Sequence, residues 1–417
     1  MRDDIHSMGA KALAASRELA KLSKEQKNQI LLAMADELEA RSEQIVAENA
    51  KDLEAGSEKG LSKPMLDRLA LDADRIAFIA GCVRQVAELP DPVGEILEDW
   101  TRPNGLHMQK VRVPIGVIGI IYESRPNVTS DAAVLCFKAN NATILKGGSE
   151  AIHSNKAIAS ALQEGGARAG LPDGSIQLIP YTDRESVKHL AEMDQYLDLI
   201  IPRGGKGLIE AVVSMARMPV IKHYDGICHA YVHSAADLEM ARKLVVDSKC
   251  QKPSVCNALE TLLVDKSLVP DGLAAIAGEL IEKGVEIRGD ETFVQVLGDK
   301  VKPVAEADWS EEYLDLILAA KVVDGLDEAI AHINTYGSQH TDVIVTTDEQ
   351  AAHRFMAEVD SAAVFWNCST RFSDGEEFGF GAEIGISTDK LHARGPMALK
   401  ELTSYKYLVR GNGQTKA

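Results

Sequence analysis

At 417 residues and 45% hydrophobic content, the chain is long enough to bury two or three separate cores. Its net charge of −18 excludes a general nucleic-acid or anionic-membrane surface, since either needs a surplus of Lys and Arg. The six cysteines (Cys82, Cys136, Cys228, Cys250, Cys256, Cys368) form no CxxC pair, so neither a zinc ribbon nor a disulfide framework is indicated and a reducing cytoplasm is the expected setting. The amino terminus lacks the basic region and apolar run of a signal peptide, and no stretch approaches the roughly 18 uncharged apolar residues of a membrane span.

Residues 4 to 90 read as successive helices rich in Ala, Leu, Glu and Lys. Ser23 with Gln26 makes a capping box, after which Ile30, Leu31, Met34 and Leu38 mark one apolar face. Trp100 to Val113 reads as an extended hairpin arm. Then Ile115 to Ile121, Ala142 to Leu145, Ser175 to Ile179 and Leu197 to Ile201 are short apolar runs separated by helical patterns. Strands alternating with helices predict a parallel sheet buried on both faces, a Rossmann-type α/β arrangement with ligands beyond the carboxyl ends of the strands. Those ends carry Tyr122 to Asn127, Lys146 to Ser149 and Pro202 to Gly207, three polar, mostly glycine-bearing loops suited to an anion. A second α/β region from about Cys228 to Ser361 has strands near His229 to His233, Leu259 to Val264, Leu316 to Val323 and Asp342 to Thr346. Leu399 to Ala417 reads as an exposed tail with alternating Tyr405, Tyr407 and Val409, and unpaired edges of this kind find partner strands, often in another subunit.

Cys256 lies in the polar loop Gln251-Lys252-Pro253-Ser254-Val255-Cys256-Asn257, which runs directly into the apolar stretch from Ala258 to Val264. A thiol at the mouth of a strand can attack an activated acyl group and hold it as a thioester, dividing one hard acyl reduction into two easier steps. Nearby Lys252 favours the thiolate. His332 and His340 are eight residues apart with no third ligand in view, so they are read as structural, and no metal is expected. Cys228, His229 and His223 are read as core and loop.

Four blocks taken together carry a resemblance. They are Tyr122-Glu123-Ser124-Arg125-Pro126-Asn127-Val128, Ile201-Pro202-Arg203-Gly204-Gly205, Leu391-His392-Ala393-Arg394-Gly395-Pro396, and Val323-x5-Ala329-Ile330-x-His332-Ile333-x2-Tyr336-Gly337-Ser338-x-His340-Thr341-Asp342-x-Ile344. Over essentially its whole length the chain resembles the aldehyde dehydrogenase superfamily, and within it the glutamate-5-semialdehyde dehydrogenase family. The resemblance implies an oxidoreductase that uses NADPH to reduce gamma-glutamyl phosphate to the semialdehyde, releasing phosphate, in proline synthesis. It implies Cys256 as nucleophile, with its backbone N–H and Asn127 as oxyanion donors. Arg125 and Arg394 then meet substrate anions or, on the alternative reading, make structural salt bridges. Lys222 stands near the place of the superfamily's hydrolytic glutamate, where it steadies the departing phosphate or is simply a solvated lysine. For the cofactor the resemblance implies Lys146 at the adenosine ribose, Ser149 where NAD-preferring relatives carry a glutamate, Gly204 and Gly205 at the pyrophosphate, and Glu312 at the nicotinamide ribose. The surroundings of Glu312 depart from the usual Glu-x-Phe-Gly-Pro.

The implied architecture is a discontinuous cofactor domain (1–98, 114–226 and 362–398), a catalytic domain (227–361) and an oligomerisation arm and tail (99–113 and 399–417) that make a homo-oligomer. Because the chain opens on its helices and its acyl phosphate is labile, a transient complex with a separate glutamate 5-kinase is expected. Competing readings keep the fold with an acyl-CoA or free aldehyde substrate, take the chain as a non-catalytic relative, or make Cys256 a redox thiol resolved by Cys250.

Overall fold

The computed structural model describes residues 1–123 and 125–416, apart from the side chain of Pro64. Ser124 of the Tyr122 to Asn127 loop and Ala417 of the tail therefore lie outside the described residues. The chain divides into two compact units, one of residues 1–222, 379–385 and 397–417, the other of residues 223–378 and 386–396.

The first unit opens with helices α1 (Arg2–Leu19), α2 (Lys24–Ala40), α3 (Ser42–Glu58), α4 (Lys63–Leu69) and α5 (Ala73–Glu88). The capping box at α2 forms in both directions: Gln26 N donates to Ser23 Oγ at 3.3 Å and Ser23 N donates to Gln26 Oε1 at 2.8 Å. Ile30, Leu31, Met34 and Leu38 of that helix are all buried. Strands β1 (Ile96–Thr101) and β2 (His107–Pro114) form the expected hairpin. The tail strand Thr403–Arg410 hydrogen-bonds to the other side of β2 over its full length, so arm and tail are partners within one chain.

The unit's core is the sheet of β3 (Val117–Tyr122), β4 (Ala142–Gly147), β5 (Ile176–Leu178) and β6 (Leu199–Arg203), all parallel in the order β5-β4-β3-β6. Helices α6 (Asn127–Lys138), α7 (Ile152–Arg168), α8 (Arg184–Ala191) and α9 (Lys206–Met215) alternate with these strands. Every residue of β3 and β4 is buried, which is why both read as largely apolar runs. Parallel order brings the ends of β3, β4 and β6 to one edge of the sheet.

The second unit is a seven-stranded, all-parallel sheet. Its members are β7 (Cys228–Val232), α10 (Leu238–Cys250), β8 (Leu259–Asp265), α11 (Asp271–Glu282), β9 (Glu286–Gly289), α12 (Glu291–Leu297), β10 (Lys302–Pro303), β11 (Ile317–Val323), α13 (Leu326–Tyr336), β12 (Thr341–Val345), α14 (Glu349–Glu358) and β13 (Ala363–Trp366). The period of two in a strand divides their side chains between two cores. Ala230, Val232, Leu262 and Val264 join one cluster, while Tyr231 and Leu263 between them join the other. A short antiparallel pair, β14 (Ile386–Ser387) and β15 (Gly395–Pro396), completes the unit.

The division differs from the one expected. The reading of the sequence puts residues 362–398 in the cofactor domain, but β13 hydrogen-bonds along β12 and extends the sheet of the second unit, so that of this stretch only 379–385 and 397–398 fall in the first unit. Strands β9, β10 and β13 are too short to give a periodic signal, and so escape a reading of the sequence.

Candidate active site

In the second unit the chemistry collects at the amino edge of the sheet. Cys256 precedes β8, Cys228 opens β7, His340 precedes β12, and Glu312 lies on the approach to β11. Because these strands are parallel, all four residues reach the same edge although up to 112 positions separate them in sequence. Cys256 is half-buried. Its loop is held by a turn in which Ala258 N donates to Val255 O at 3.0 Å, and by Asn257, whose amide donates to Ser373 O at 3.0 Å and Arg371 O at 3.3 Å.

The Cys256 backbone rests on Gly226. A Cβ at Gly226 would stand 2.1 Å from the Cys256 carbonyl oxygen and 2.5 Å from its Cα, so only glycine permits this approach. Cys228, read from sequence as core, does more than pack: its thiol donates to Cys256 O at 3.2 Å. Burial drives the Cys228 pKa far up, keeping it a neutral donor. Glu312 accepts the Gly226 N–H at 2.8 Å, and Ser338 accepts the Ile227 N–H at 2.8 Å. Burial raises the pKa of Glu312, and the Asp225 carboxylate adds to the rise. His223 donates from Nδ1 to Ile386 O at 2.7 Å, and its ring meets His340 edge to face at 5.7 Å.

Beneath this edge lies a buried pair. Lys249 Nζ meets Glu260 Oε2 at 2.8 Å with both side chains fully enclosed, and Leu314 N donates to Glu260 Oε1 at 3.2 Å. Burial pushes Glu260 up to about 7 and lowers Lys249, each opposed by its partner. The Arg394 guanidinium meets Asp360 Oδ1 at 2.9 Å, while its Nε is buried without a hydrogen bond. His332 is packed among Trp309, Tyr336 and His229. Among the described residues no group of three or more His, Cys, Asp or Glu is arranged to hold a metal ion, and all six cysteines are free thiols.

In the first unit, the three expected loops share the carboxyl edge of the parallel sheet. Arg125 is exposed after β3, and Asn127 begins α6. The Asn127 amide donates to Asp131 Oδ2 at 2.8 Å. Asp131 is only half-exposed by surface area, yet the protein packed around its carboxyl pushes its pKa up to about 6. Lys146 is the penultimate residue of β4, with 4% exposure, and its Nζ donates to Gly147 O at 2.8 Å. Ser149 is exposed one turn before α7, on the wall of a pocket of about 540 Å³ lined also by Lys59, Leu61, Glu150, Ile152 and His153. Asp52 floors this pocket, and its carboxylate accepts from Ser154 N at 2.8 Å, capping α7. Gly204 and Gly205 follow β6 at the start of α9, where Gly205 N donates to Glu123 Oε2 at 3.2 Å. Lys222 is half-buried at the unit's boundary.

With this geometry in view, kinship is informative. An aldehyde dehydrogenase family profile matches residues 1–292. A gamma-glutamyl phosphate reductase of Geotalea daltonii is 54% identical over 414 residues, 99% of either chain. The chain belongs to the gamma-glutamyl phosphate reductase family. A Moorella thermoacetica relative of the same description is likewise 54% identical over 413 residues, 99% of either chain. The crystal structure of a Thermotoga maritima gamma-glutamyl phosphate reductase superimposes with a TM-score of 0.97 at 44% identity, covering 99% of this chain and 100% of that one. An acetylating aldehyde dehydrogenase of Geobacillus thermoglucosidasius shares the fold, with a TM-score of 0.71 at 19% identity over 100% of this chain and 98% of its own.

Gly226, Cys228 and Ser338 are the site residues that reading the sequence missed. Gly226 carries no signal of its own in the sequence, Cys228 reads as core and Ser338 as one letter of a signature. What distinguishes them is the contact with Cys256 or its neighbours, which only the strand order reveals.

Proposed function

We propose that this chain catalyses the NADPH-dependent reduction of L-glutamate 5-phosphate to L-glutamate 5-semialdehyde, with release of phosphate, through a thioester on Cys256. This is the second step of proline biosynthesis from glutamate. The reading is carried by identity of 54% across 99% of the chain to reductases of gamma-glutamyl phosphate, and the loop-borne thiol at the amino edge of β8 supplies the nucleophile it requires.

The Cys256 thiolate attacks the gamma carbonyl carbon, forming a C–S bond as the C–O bond to phosphate breaks. Bound NADPH supplies the hydride that reduces the thioester. The Cys256 sulfur then departs as thiolate when the C–S bond cleaves and the aldehyde carbonyl re-forms. The Cys256 backbone N–H and the Asn127 amide, which Asp131 orients, steady the oxyanion in both addition steps, and such donors are worth about 3 kcal/mol each. Arg125 and Lys222 take the phosphate and carboxylate of the substrate, and the N–H groups of Arg394 not held by Asp360 share that role.

Cofactor assignments suit the donors present. Lys146 has ammonium hydrogens to spare for a ribose beyond the one given to Gly147 O. Ser149 brings no charge against a 2′-phosphate, and the space beside Gly205 is open for close approach of a pyrophosphate to the amino end of α9. Glu312, the residue that the resemblance implies at the nicotinamide ribose, accepts the Gly226 N–H with one carboxylate oxygen. The first unit thus serves as cofactor domain and the second as catalytic domain. Tyr405, Tyr407 and Val409, each about half exposed on the tail strand, form the surface through which copies of the chain associate. A transient complex with a glutamate 5-kinase would shelter the labile acyl phosphate, and unaltered coupled flux on mixing the two proteins would count against it.

Running the reaction in reverse tests the chemistry: glutamate semialdehyde, phosphate and NADP or NAD, followed by absorbance of the reduced cofactor, beside Cys256→Ala. Phosphate-dependent reduction of NADP, lost in the variant, is expected. Turnover without phosphate would instead point to a hydrolytic aldehyde dehydrogenase.

A further inference from the structure

The segment Asp225 to Cys228 makes no chemistry of its own, yet it touches the nucleophile twice and is itself held twice. It touches Cys256 through the close approach of Gly226, where a Cβ would come within 2.1 Å of the carbonyl oxygen, and through the Cys228 thiol at 3.2 Å from that same oxygen. It is held by two side chains from distant parts of the second unit. Glu312, 86 residues on, accepts the Gly226 N–H, and Ser338, 111 residues from Ile227, accepts the next N–H. Gly226 and Ile227 are buried. Two successive buried N–H groups thus depend on side-chain acceptors, and loss of either acceptor strands a donor away from water. A further bond, Cys228 N to Gly226 O at 3.0 Å, makes the segment one tight turn, so movement at Gly226 or Ile227 is passed to Cys228 and from both ends to Cys256.

We propose that Glu312 and Ser338 are positioning residues for the nucleophile, fixing the place of Cys256 through Gly226 and Cys228. The proposal rests on reading Cys256 as the nucleophile. It gives Glu312 a task that needs no cofactor and sets it against the ribose contact: a ribose ligand acts on cofactor affinity, whereas a residue that seats the thiol acts on turnover and on the thiol's reactivity in the bare protein. It also gives a physical reason for Ser338 in the signature block, which has no chemistry in the reaction.

The test uses Glu312→Ala, Glu312→Gln, Ser338→Ala and Cys256→Ala in the full chain. Each is measured for kcat and KM of NADP in semialdehyde oxidation, and for the rate of iodoacetamide labelling at position 256 without cofactor. Glu312→Ala and Ser338→Ala should each lower kcat about ten-fold, as expected for one buried bond. Both should alter the labelling rate and leave KM for NADP within about two-fold. Glu312→Gln, whose amide oxygen still accepts from Gly226, should recover most of the loss. A Glu312→Ala protein with raised KM for NADP but unchanged labelling, together with an unaffected Ser338→Ala, would overturn the proposal and leave the nucleophile reading intact. Persistent turnover by Cys256→Ala would overturn both. Should Glu312→Ala fail to fold, Ser338→Ala and Glu312→Gln still decide, because normal labelling and kcat in Ser338→Ala refute the seat.

Discussion

Replacing Gly226 with alanine is the sharpest perturbation of Cys256 that removes no atom of the proposed chemistry. The added Cβ would meet the Cys256 carbonyl oxygen at 2.1 Å, its carbonyl carbon at 2.6 Å and its Cα at 2.5 Å. These are backbone atoms, so no flexible side chain can swing aside. To reach the 3.4 Å at which ordinary contact begins, the two strands of backbone must part by about 1.3 Å. A displacement of about 1 Å at a reacting group costs on the order of a hundred-fold in rate, equivalent to about 2.7 kcal/mol of barrier. We therefore expect Gly226→Ala to lower kcat for phosphate-dependent oxidation of the semialdehyde about a hundred-fold, with KM for NADP little changed. Gly278→Ala is the control: it lies in α11 with no atom within 4 Å of its added Cβ, and should be neutral or slightly stabilising. A Gly226→Ala enzyme within two-fold of the wild-type kcat would refute the claim that this contact sets the thiol's position.

Lys249→Met leaves the Glu260 carboxyl enclosed without its cation and should cost about 3–5 kcal/mol in urea unfolding. Adding Glu260→Gln should return part of that loss, and an equal loss in the single and double variants would refute a charge-based origin. His332 is held down to about 3 by burial, below its ordinary 6.5. The unfolded chain therefore takes up the proton first as pH falls, and the stability contributed by neutral His332 is full above pH 6.5 and is lost toward pH 3. At pH 5 the loss is about 2 kcal/mol, so His332→Phe should flatten the pH dependence of thermal unfolding between pH 5 and 7, and an unchanged slope would contradict this. Ser149→Glu places a carboxylate on the wall beside the assigned ribose, and should raise KM for NADPH at least ten-fold while sparing NADH. Equal effects on the two cofactors would remove Ser149 from a role in phosphate selectivity.

Much of the fold was legible because buried parallel strands advertise themselves. The run at Val117 is apolar throughout, those at Ala142 and Leu259 are mostly so, and the α2 cap is written in Ser23 and Gln26. Cys256 was legible from its polar loop, and the signature block from its spacing. The support around the thiol was not. Cys228 and Cys256 are 28 residues apart, and Gly226 and Glu312 are 86 apart, so their meeting depends on β7 lying beside β8 and on β11 beside β8 on the other side. A strand order of β10-β9-β11-β8-β7-β12-β13 has no local signal in the sequence, since pairing partners are set by the whole sheet. The domain edge near residue 362 failed for a related reason, because the four-residue β13 declares its allegiance only by bonding to β12.

The ribbon made by β2 and the tail strand also has a consequence for biosynthesis. Pro114 pairs in register with Thr403, and Asn141 reaches Leu402 O at 2.8 Å, so residues translated nearly 300 positions later complete a structure begun near the first hundred. At roughly 5–20 residues per second, β2 waits on the order of 15–60 s on the ribosome for its partner. Throughout that interval one side of β2 has unsatisfied backbone groups, and Tyr405, Tyr407 and the rest of the strand that will cover it do not yet exist. A nascent chain of this protein is therefore exposed to wrong strand pairing until that strand emerges, and a truncation that removes Thr403 to Arg410 would make the exposure permanent.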